Sequence, residues 1–266
     1  MGGLSPQQAL SLYDESHNPI QSAAALRTSN YSAYLDGHLV RLLDWREPSG
    51  HAKMAHQLFR SFVEDDRFSC VGAKGAFASG GYRFAMYDGF PSKDGTHGLA
   101  RDLTAFVAEL PYMTARYRTF VAVFNDVTFN EESFERRMWE QLQALHEVDS
   151  KHFSWDTRVA NDPADPRFAF SIAEHGFFIV GMHPAASRVS RRFALPALVF
   201  NSRHQFEALK ETGHFSKIQE LVRERERELQ GSLNPNLAPY GAVSEARQYS
   251  GRRIPERWRC PFRPRN

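Results

Sequence analysis

The sequence contains few of the features that mark secreted, membrane-spanning or zinc-stabilised proteins. Only two of its 266 residues are cysteine, Cys70 and Cys260, which is too few for a disulfide framework and lacks the spacing of a zinc site. No run of about 18 apolar residues is present, so no membrane span is expected. The first residues lack the basic region and apolar core of a signal peptide. We therefore expect a cytoplasmic protein with free thiols and no membrane partner.

The chain also lacks a large excess of charge of either sign. It has 33 basic and 31 acidic residues and a net charge of +2. The arginines are concentrated at the end, where seven arginines and two acids lie between Gly241 and Asn266. A basic tail of this kind is compatible with nucleic-acid binding. However, Tyr249, Ile254 and Trp258 are interleaved with these arginines, which favours packing onto the body of the protein, and we expect no nucleic-acid partner.

Several common catalytic signatures are missing. The segment Gly72–Gly75 is too short for a phosphate-binding loop and is not followed by the required Ser or Thr. There is no His-Glu-x-x-His motif, no Gly-x-Ser-x-Gly motif and no dinucleotide-binding fingerprint. If the protein is a redox enzyme, it requires a cofactor other than a flavin or nicotinamide bound through that fingerprint.

What the chain does have is a large stock of core-forming residues. It is 42% hydrophobic and 13% aromatic and contains 21 phenylalanines, which is enough for one substantial core. Apolar periodicity and turn residues predict the following elements. The helices are expected at 52–64, 97–110, 203–210 and 216–230 and in a segment capped by Asn130, and the strands at 68–77, 82–87, 117–123, 168–172, 177–182 and 197–201.

This pattern predicts an α+β fold in a single domain over residues 31–266. The sheet is expected to be mixed or mainly antiparallel, with flanking helices and an irregular C-terminal wrap. Residues 1–30 are expected to form an irregular arm. In the helix at 52–64, Met54, Leu58 and Phe62 recur every four residues and are expected to face the core. The alternating charges from Arg223 to Glu228 are interpreted as a solvated helix face.

The most informative segment is 168–230, and within it His183. An apolar run precedes this histidine and Pro184 fixes the chain direction after it, so its backbone should be rigid. A lone histidine at a strand end is most often a structural residue. Three arginines follow closely, Arg188, Arg191 and Arg192, beside an aromatic-rich wall. A haem needs apolar walls, an axial ligand and cations for its propionates, and these surroundings favour that interpretation.

Cys70 is the competing ligand. It lies in an apolar segment that is expected to be a strand leading into a glycine-rich turn. A thiolate ligand would push electron density onto iron and favour O–O cleavage. The alternative is that Cys70 is a small buried hydrophobic residue, and Cys260 has the same alternative.

Over residues 68–262 the chain resembles the YqcI/YcgG-like family. The matching segments are Phe68-x-Cys70 with Gly72, Met182-His183-Pro184 with Ser187-Arg188, Arg191-Arg192-Phe193, residues 196–201, Gln205-Phe206-Glu207-x-Leu209, residues 230–235, residues 244–251, and Trp258-x-Cys260-Pro261-Phe262. Characterised members of this family resemble haem-dependent N-oxygenases. They oxidise the terminal nitrogen of arginine, related guanidino amino acids or lysine, in natural-product pathways such as those of guanitoxin and cycloserine.

The resemblance implies that this chain binds haem b and hydroxylates such a nitrogen, using O₂ with an unidentified electron donor, or peroxide. By position in the motif, His183 is the expected axial ligand, with Arg188, Arg191, Arg192 and Arg247 as cofactor-binding cations. Glu245 is the expected partner of a substrate guanidinium, with a helix-capping role or a salt bridge to Arg247 or Arg188 as its alternative. Tyr249 is the expected distal hydrogen-bond donor, with a core position as its alternative.

Three functional hypotheses follow from these residues. The first is the N-oxygenase, with a small guanidino or amino acid as substrate and a homodimer as one possible assembly. The second is a haem-binding sensor or carrier without oxygenase activity. The third is a metal-free protein. A visible spectrum with and without candidate guanidines separates them.

Overall fold

A mixed sheet forms the centre of the computed structural model, which describes residues 18–128, 130–211, 213–237 and 242–265. Over these residues its strands are β1 (Ser32–Leu35), β2 (His38–Arg41), β3 (Tyr82–Asp88), β4 (Thr119–Asn125), β5 (Phe170–Ile172), β6 (His175–Met182) and β7 (Ala197–Ser202). Their order in the sheet is β2-β1-β3-β4-β7-β6-β5. Only β3 and β4 pair in parallel, and every other neighbouring pair is antiparallel. The predicted α+β domain with a mixed sheet is confirmed.

The helices of the described residues are α1 (Ala23–Thr28), α2 (Gly50–Glu64), α3 (Val71–Ala78), α4 (Gly95–Glu109), α5 (Glu131–Asp149), α6 (Arg203–Glu211) and α7 (His214–Gln230). None of them has the length and apolar character needed to cross a membrane. Short 3₁₀ turns lie at Leu110–Tyr112, Val189–Arg191 and Glu245–Gln248. Beyond α7 the described chain contains one such turn and no strand, in agreement with the predicted irregular C-terminal wrap.

Two cores lie on opposite faces of the sheet because strand side chains alternate between its faces. On β4, Phe120 belongs to a core with α4, α5 and the C-terminal segment, whereas Val121 belongs to a core with α2 and α3. The C-terminal residues Tyr249 and Phe262 are almost completely buried in the first core. The wrap therefore completes the hydrophobic core.

Several local predictions are confirmed by specific contacts. Asn130 caps α5: its side chain accepts from the Ser133 amide at 2.8 Å, and the Ser133 hydroxyl accepts from the Asn130 amide at 3.3 Å. The strands predicted at 168–172 and 177–182 form the antiparallel hairpin β5–β6, whose two-residue turn is Ala173–Glu174; His175 already belongs to β6. The first 17 residues of the expected N-terminal arm lie outside the described residues, and residues 23–28 of it form α1.

The strand predicted at 68–77 is wrong, since most of this segment forms helix α3. Its residues do not alternate between apolar and polar, and alanine favours a helix. Gly75 lies so close to the ring of Tyr117 that a Cβ atom at this position would be 2.8 Å from the ring. The helix packs closely against the aromatic ring because its facing residues are small. Strands β1 and β2 were not expected from the sequence.

The prediction of which face of α2 is buried is also wrong. Met54 and Leu58 are 62% and 45% exposed. The buried face instead carries Ala55, Phe59 and Val63. Phe59 packs edge-on against another aromatic ring of the second core at a centroid distance of 4.9 Å, so an aromatic anchor sets the rotation of this helix.

Candidate functional site

His183 lies directly after β6 and is fully buried. Its amide donates to the carbonyl of Arg191 at 3.0 Å, and its own carbonyl accepts from the Ala186 amide at 3.2 Å, so the backbone around it is held on both sides. The Phe134 ring stacks on the imidazole with 4.2 Å between centroids and 23° between the planes. Among the described residues, neither ring nitrogen of His183 has a hydrogen-bond partner.

An unpartnered imidazole in this position is neutral. Burial lowers the pKa of His183 from its ordinary value of 6.5 to about 4, although Glu131 acts in the opposite direction. A neutral imidazole has one nitrogen lone pair available for a metal at physiological pH. The stack with Phe134 covers a face of the ring, whereas coordination takes place in the ring plane. The donor therefore has the protonation state that a metal ligand needs.

Close packing requires glycine at position 181, two residues before His183. A Cβ atom on Gly181 would be 2.7 Å from a ring carbon of Phe134 and 2.9 Å from the carbonyl oxygen of Tyr249. The Gly181 amide donates to that carbonyl at 2.8 Å. The C-terminal segment thus runs against β6, immediately beside the histidine, with no room for a larger side chain.

The arginines behind His183 are engaged with protein groups. Arg188 is 6% exposed; its Nη2 lies 2.5 Å from the Glu226 carboxylate and 2.7 Å from the carbonyl of Ser232, which joins this loop to α7 and the segment after it. Arg191 donates to the carbonyls of Gly181 and Tyr249 at 3.2 and 2.8 Å, and burial lowers its pKa to about 10.

Arg192 differs from these two because it is exposed. Its Nε donates to the carbonyl of Ala186 at 2.9 Å and its Nη2 to that of Ser187 at 3.2 Å. Both acceptors are neutral. Of the three arginines, Arg192 is the one that can most readily exchange its present contacts for a carboxylate.

The residues expected from the C-terminal motif have other partners. Glu245 forms an ion pair with Arg203, rather than with Arg247 or Arg188, and burial raises its pKa. Arg247 donates to the carbonyl of Pro255 at 3.2 Å. Neither residue contacts His183 in the geometry described here.

Tyr249 occupies a core position. Its hydroxyl donates to the carbonyl of Phe177 at 3.2 Å and accepts from the amide of Phe170 at 3.3 Å, and burial raises its pKa well above the ordinary value. The side chain therefore joins the C-terminal segment to the β5–β6 hairpin. The part of Tyr249 that reaches the neighbourhood of His183 is its carbonyl, which binds Gly181 and Arg191.

Cys70 is the residue that precedes α3, rather than part of a strand, and its thiol is free. Burial raises its pKa, against the opposing effect of the Ala73 and Gly72 amides at the start of the helix. The thiol lines a cavity of about 230 Å³ between α3 and α7. Cys260 is also free, and burial raises its pKa to about 12.

Two polar groups were missed by the sequence interpretation. Glu226, assigned to a solvated helix face, is only 13% exposed and hydrogen-bonds to Ser69 as well as Arg188. The available signal was its spacing of four and eight residues from Val222 and Ile218, which places all three on one side of α7.

The second group contains two histidines at the other end of the β6–β7 pair, with 4.3 Å between ring centroids and 38° between the ring planes. His175 Nε2 is 2.8 Å from the Ser202 hydroxyl, and His204 Nε2 is 3.1 Å from the Asp156 carboxylate. Their partners are far apart in the sequence, so no local pattern indicated the cluster.

The residues present fit a haem in part. The buried imidazole has the donor atoms and protonation state of an axial ligand. No group of three or more metal-binding side chains occurs among the described residues, which is compatible with single axial ligation. Four cavities or grooves stand out on the described surface, and His183 lines none of these four. A tetrapyrrole at His183 therefore requires the neighbouring chain to move.

The cavity at Cys70 is a poorer fit for a macrocycle. An apolar cavity of about 150 Å³ holds a single benzene ring. The cavity of about 230 Å³ beside Cys70 is far smaller than four pyrrole rings would need. In this conformation the cysteine side of α3 has space for a small molecule but not for haem.

The fold and site define an α+β protein whose described residues include a buried histidine ring without a hydrogen-bond partner. The sequence model of the YqcI/YcgG family matches residues 59–263, and the chain belongs to that family. No curated protein and no solved structure matches the chain.

Proposed function

We propose that this protein is a haem-dependent N-oxygenase that binds haem b through His183. Its proposed substrate is arginine or a related guanidino or amino acid, hydroxylated at the terminal nitrogen. The observation that carries the proposal is the buried imidazole with two unpartnered ring nitrogens. Buried polar groups are almost always hydrogen-bonded, and an exception calls for an explanation such as an absent ligand. The motif resemblance described above supplies the reaction class.

The protein retains at position 183 a side chain that is costly to bury. Each unsatisfied buried donor or acceptor costs about 1–3 kcal/mol. An apolar side chain at position 183 would avoid that cost, so a role for the imidazole outside stability is favoured. When bound, haem b supplies the redox chemistry that inserts oxygen into an N–H bond, with O₂ and an electron donor or with peroxide.

The surrounding residues would act by positioning. Arg191 donates to the carbonyls of Gly181 and Tyr249, and its own carbonyl accepts from the His183 amide. These three hydrogen bonds would hold the backbone that orients the His183 ring. Arg188 is assigned to the same supporting role through Glu226. Arg192 is the proposed partner of a propionate, because it is exposed and its present acceptors are uncharged.

The substrate side of the proposal rests on Glu245 and Tyr249. Glu245 already binds one guanidinium, that of Arg203, so a guanidinium substrate would compete with an internal ion pair. The bound hydroxyl of Tyr249 favours an indirect role through the carbonyl that faces Gly181. Arg247, which contacts an uncharged carbonyl, is the proposed partner of a carboxylate on the cofactor or substrate. The proposal includes a cytoplasmic location and a separate electron donor.

The test compares His183→Ala with Cys70→Ala in protein purified from haem-sufficient cells. We expect the parent protein and Cys70→Ala to show a Soret band and His183→Ala to lose it. Circular dichroism should be unchanged in all three. If His183→Ala keeps full haem with an unchanged spectrum while Cys70→Ala loses it, the ligand assignment is wrong. If the parent protein is colourless and does not take up added haem, the whole proposal fails.

Activity separates the oxygenase from its alternative, a haem-binding sensor or carrier. Arginine and related guanidines should shift the Soret band and yield an N-hydroxy product detectable by mass spectrometry. Glu245→Gln should weaken that shift without loss of haem. Binding of CO without any substrate-linked shift or product would favour the sensor or carrier.

A further inference from the structure

An apolar cavity lies on the face of the sheet opposite His183. It has a volume of about 230 Å³ and is bordered by Cys70, Ala73 and Ala76 on the α3 side and by Ile218 and Val222 on the α7 side. We refer to it as the α3–α7 cavity. Thr119 and Asn201, from β4 and β7, contribute to its floor.

The cavity exists because α3 carries only small side chains towards α7. On one side of α3, Gly72 and Gly75 pack against the ring of Tyr117, which brings the helix close to the sheet. Ala73 and Ala76 then leave a gap that larger residues would fill. Helix α7 closes the gap from outside and is held in place by the contacts of Glu226 with Ser69 and Arg188.

The size and lining of the cavity define the body of a ligand. An apolar cavity of about 150 Å³ stays dry and accepts benzene. The α3–α7 cavity is somewhat larger, so it fits one ring with a short chain. Most of its wall surface is aliphatic and aromatic carbon, which favours an apolar body over a sugar or a nucleotide.

The charges at the cavity define the other end of the ligand. Glu226 borders it but is paired with Arg188, so its charge is compensated. Arg223 also borders the cavity, from the same side of α7, and within the described residues it has no acidic partner. Arg118 borders it too; its Nη1 donates to the uncharged carbonyl of Leu110, and its Nε has no hydrogen-bond partner among the described residues. The uncompensated charge at the cavity is therefore positive.

We propose that the α3–α7 cavity is a binding site for a small apolar carboxylate. Its ring or short hydrocarbon body would lie against Ala73, Ala76 and Val222, and its carboxylate would pair with Arg223. This site is separate from His183, so it does not depend on haem binding.

The experiment uses 3-phenylpropionate as the probe and its neutral amide as the matched control ligand. Binding is measured by calorimetry and by protection of Cys70 from a thiol reagent, in a Cys260→Ala background so that one thiol reports. We expect the acid to bind and to slow modification of Cys70. If the parent protein shows neither binding nor protection with either probe, the proposal is overturned.

Two substitutions locate the ligand. Ala76→Leu fills the cavity and should abolish binding of both probes, and Ala73→Val provides a second filled variant if the first does not fold. Arg223→Gln should weaken the acid about threefold to fivefold, as expected for an exposed ion pair, and leave the amide unchanged. Arg225→Gln, two residues further along α7 and outside the lining, is the matched control and should change neither.

Each remaining outcome decides a part of the proposal. Equal binding of acid and amide, with no effect of Arg223→Gln, would overturn the choice of a carboxylate. Undiminished binding in both filled variants would place the probe elsewhere and overturn the site. Because no readout involves the Soret band, a failure here is distinguishable from a failure of the haem proposal.

Discussion

Replacing His183 by leucine should make the haem-free protein more stable. The change removes two unpartnered ring nitrogens from a fully buried position. Each unpartnered nitrogen costs about 1–3 kcal/mol of stability, which leucine removes, whereas losing the stack with Phe134 lowers stability by about 0.5–1.5 kcal/mol. The expected net gain in the free energy of unfolding is therefore about 1–5 kcal/mol at pH 8. Denaturant unfolding of the two haem-free proteins, monitored by circular dichroism, measures it.

The matched control is His56→Leu. His56 is also buried, and burial likewise lowers its pKa to about 4, but its Nε2 lies 2.8 Å from the hydroxyl of buried Tyr82. Leucine there removes that hydrogen bond and leaves the hydroxyl with its remaining contact to Arg60, so it should destabilise the protein by about 0.5–1.5 kcal/mol. The two substitutions thus have opposite expected signs. A loss of stability in His183→Leu comparable to that in His56→Leu would refute the argument that the imidazole is retained for a role outside stability.

The difference in stability between the parent protein and His183→Leu should depend on pH, with a sign that follows from the pKa of His183. In the unfolded chain the imidazole has its ordinary pKa of 6.5, whereas His183 in the folded protein has a pKa of about 4. Between these values the unfolded state binds more protons, so the parent protein loses stability as pH falls through this window. The difference of about 2.5 corresponds to about 3 kcal/mol. His183→Leu lacks this contribution, so its advantage over the parent should grow from pH 7 to pH 4.

Two further substitutions test the β5–β6 turn and the carboxylate beside it. Burial raises the folded-state pKa of Asp149 to about 7, so the stability that this group contributes to the parent protein is lost as the pH rises from about 4 through 7. In Asp149→Asn the side-chain oxygen can still accept from the Ala173 amide. The stability advantage of this variant over the parent, measured by denaturant titration, should therefore grow by about 2–3 kcal/mol between pH 5 and pH 8. An advantage that does not change with pH would contradict this assignment. Glu174 has φ of 59° in a turn whose two residues both have positive φ, so Glu174→Gly should stabilise by about 1 kcal/mol in the same assay, and a loss of stability would show that its side chain has a compensating contact.

Local signals in the sequence were sufficient for much of the fold. The capping pattern at Asn130 placed the start of α5 because its hydrogen bonds join residues three apart. The short apolar runs at 177–182 and 197–201 likewise placed β6 and β7. The rotation of α2 was not predictable in this way, because it depends on whether Phe59 or Phe62 is buried more deeply against residues that are distant in the sequence.

In the candidate site, too, features set by neighbouring residues were predictable and contacts between distant residues were not. His183 was identified because the apolar run before it and the proline after it are adjacent in sequence. The partners of the arginines were not, because Arg191 binds the carbonyl of Tyr249 and Arg188 binds Glu226 across long separations. The pairing of Glu245 with Arg203 was missed for the same reason.

The C-terminal segment also has a consequence for solubility. Strand β5 pairs with β6 only over residues 175–177, which leaves Phe178–Met182 at the border of the sheet. The carbonyl of Tyr249 accepts from the Gly181 amide in the middle of this stretch and so blocks its continuous pairing with another strand. Exposed apolar strand borders recruit other chains. Detachment of the C-terminal segment would therefore turn β6 into a template for intermolecular β pairing, so this segment protects the protein against aggregation.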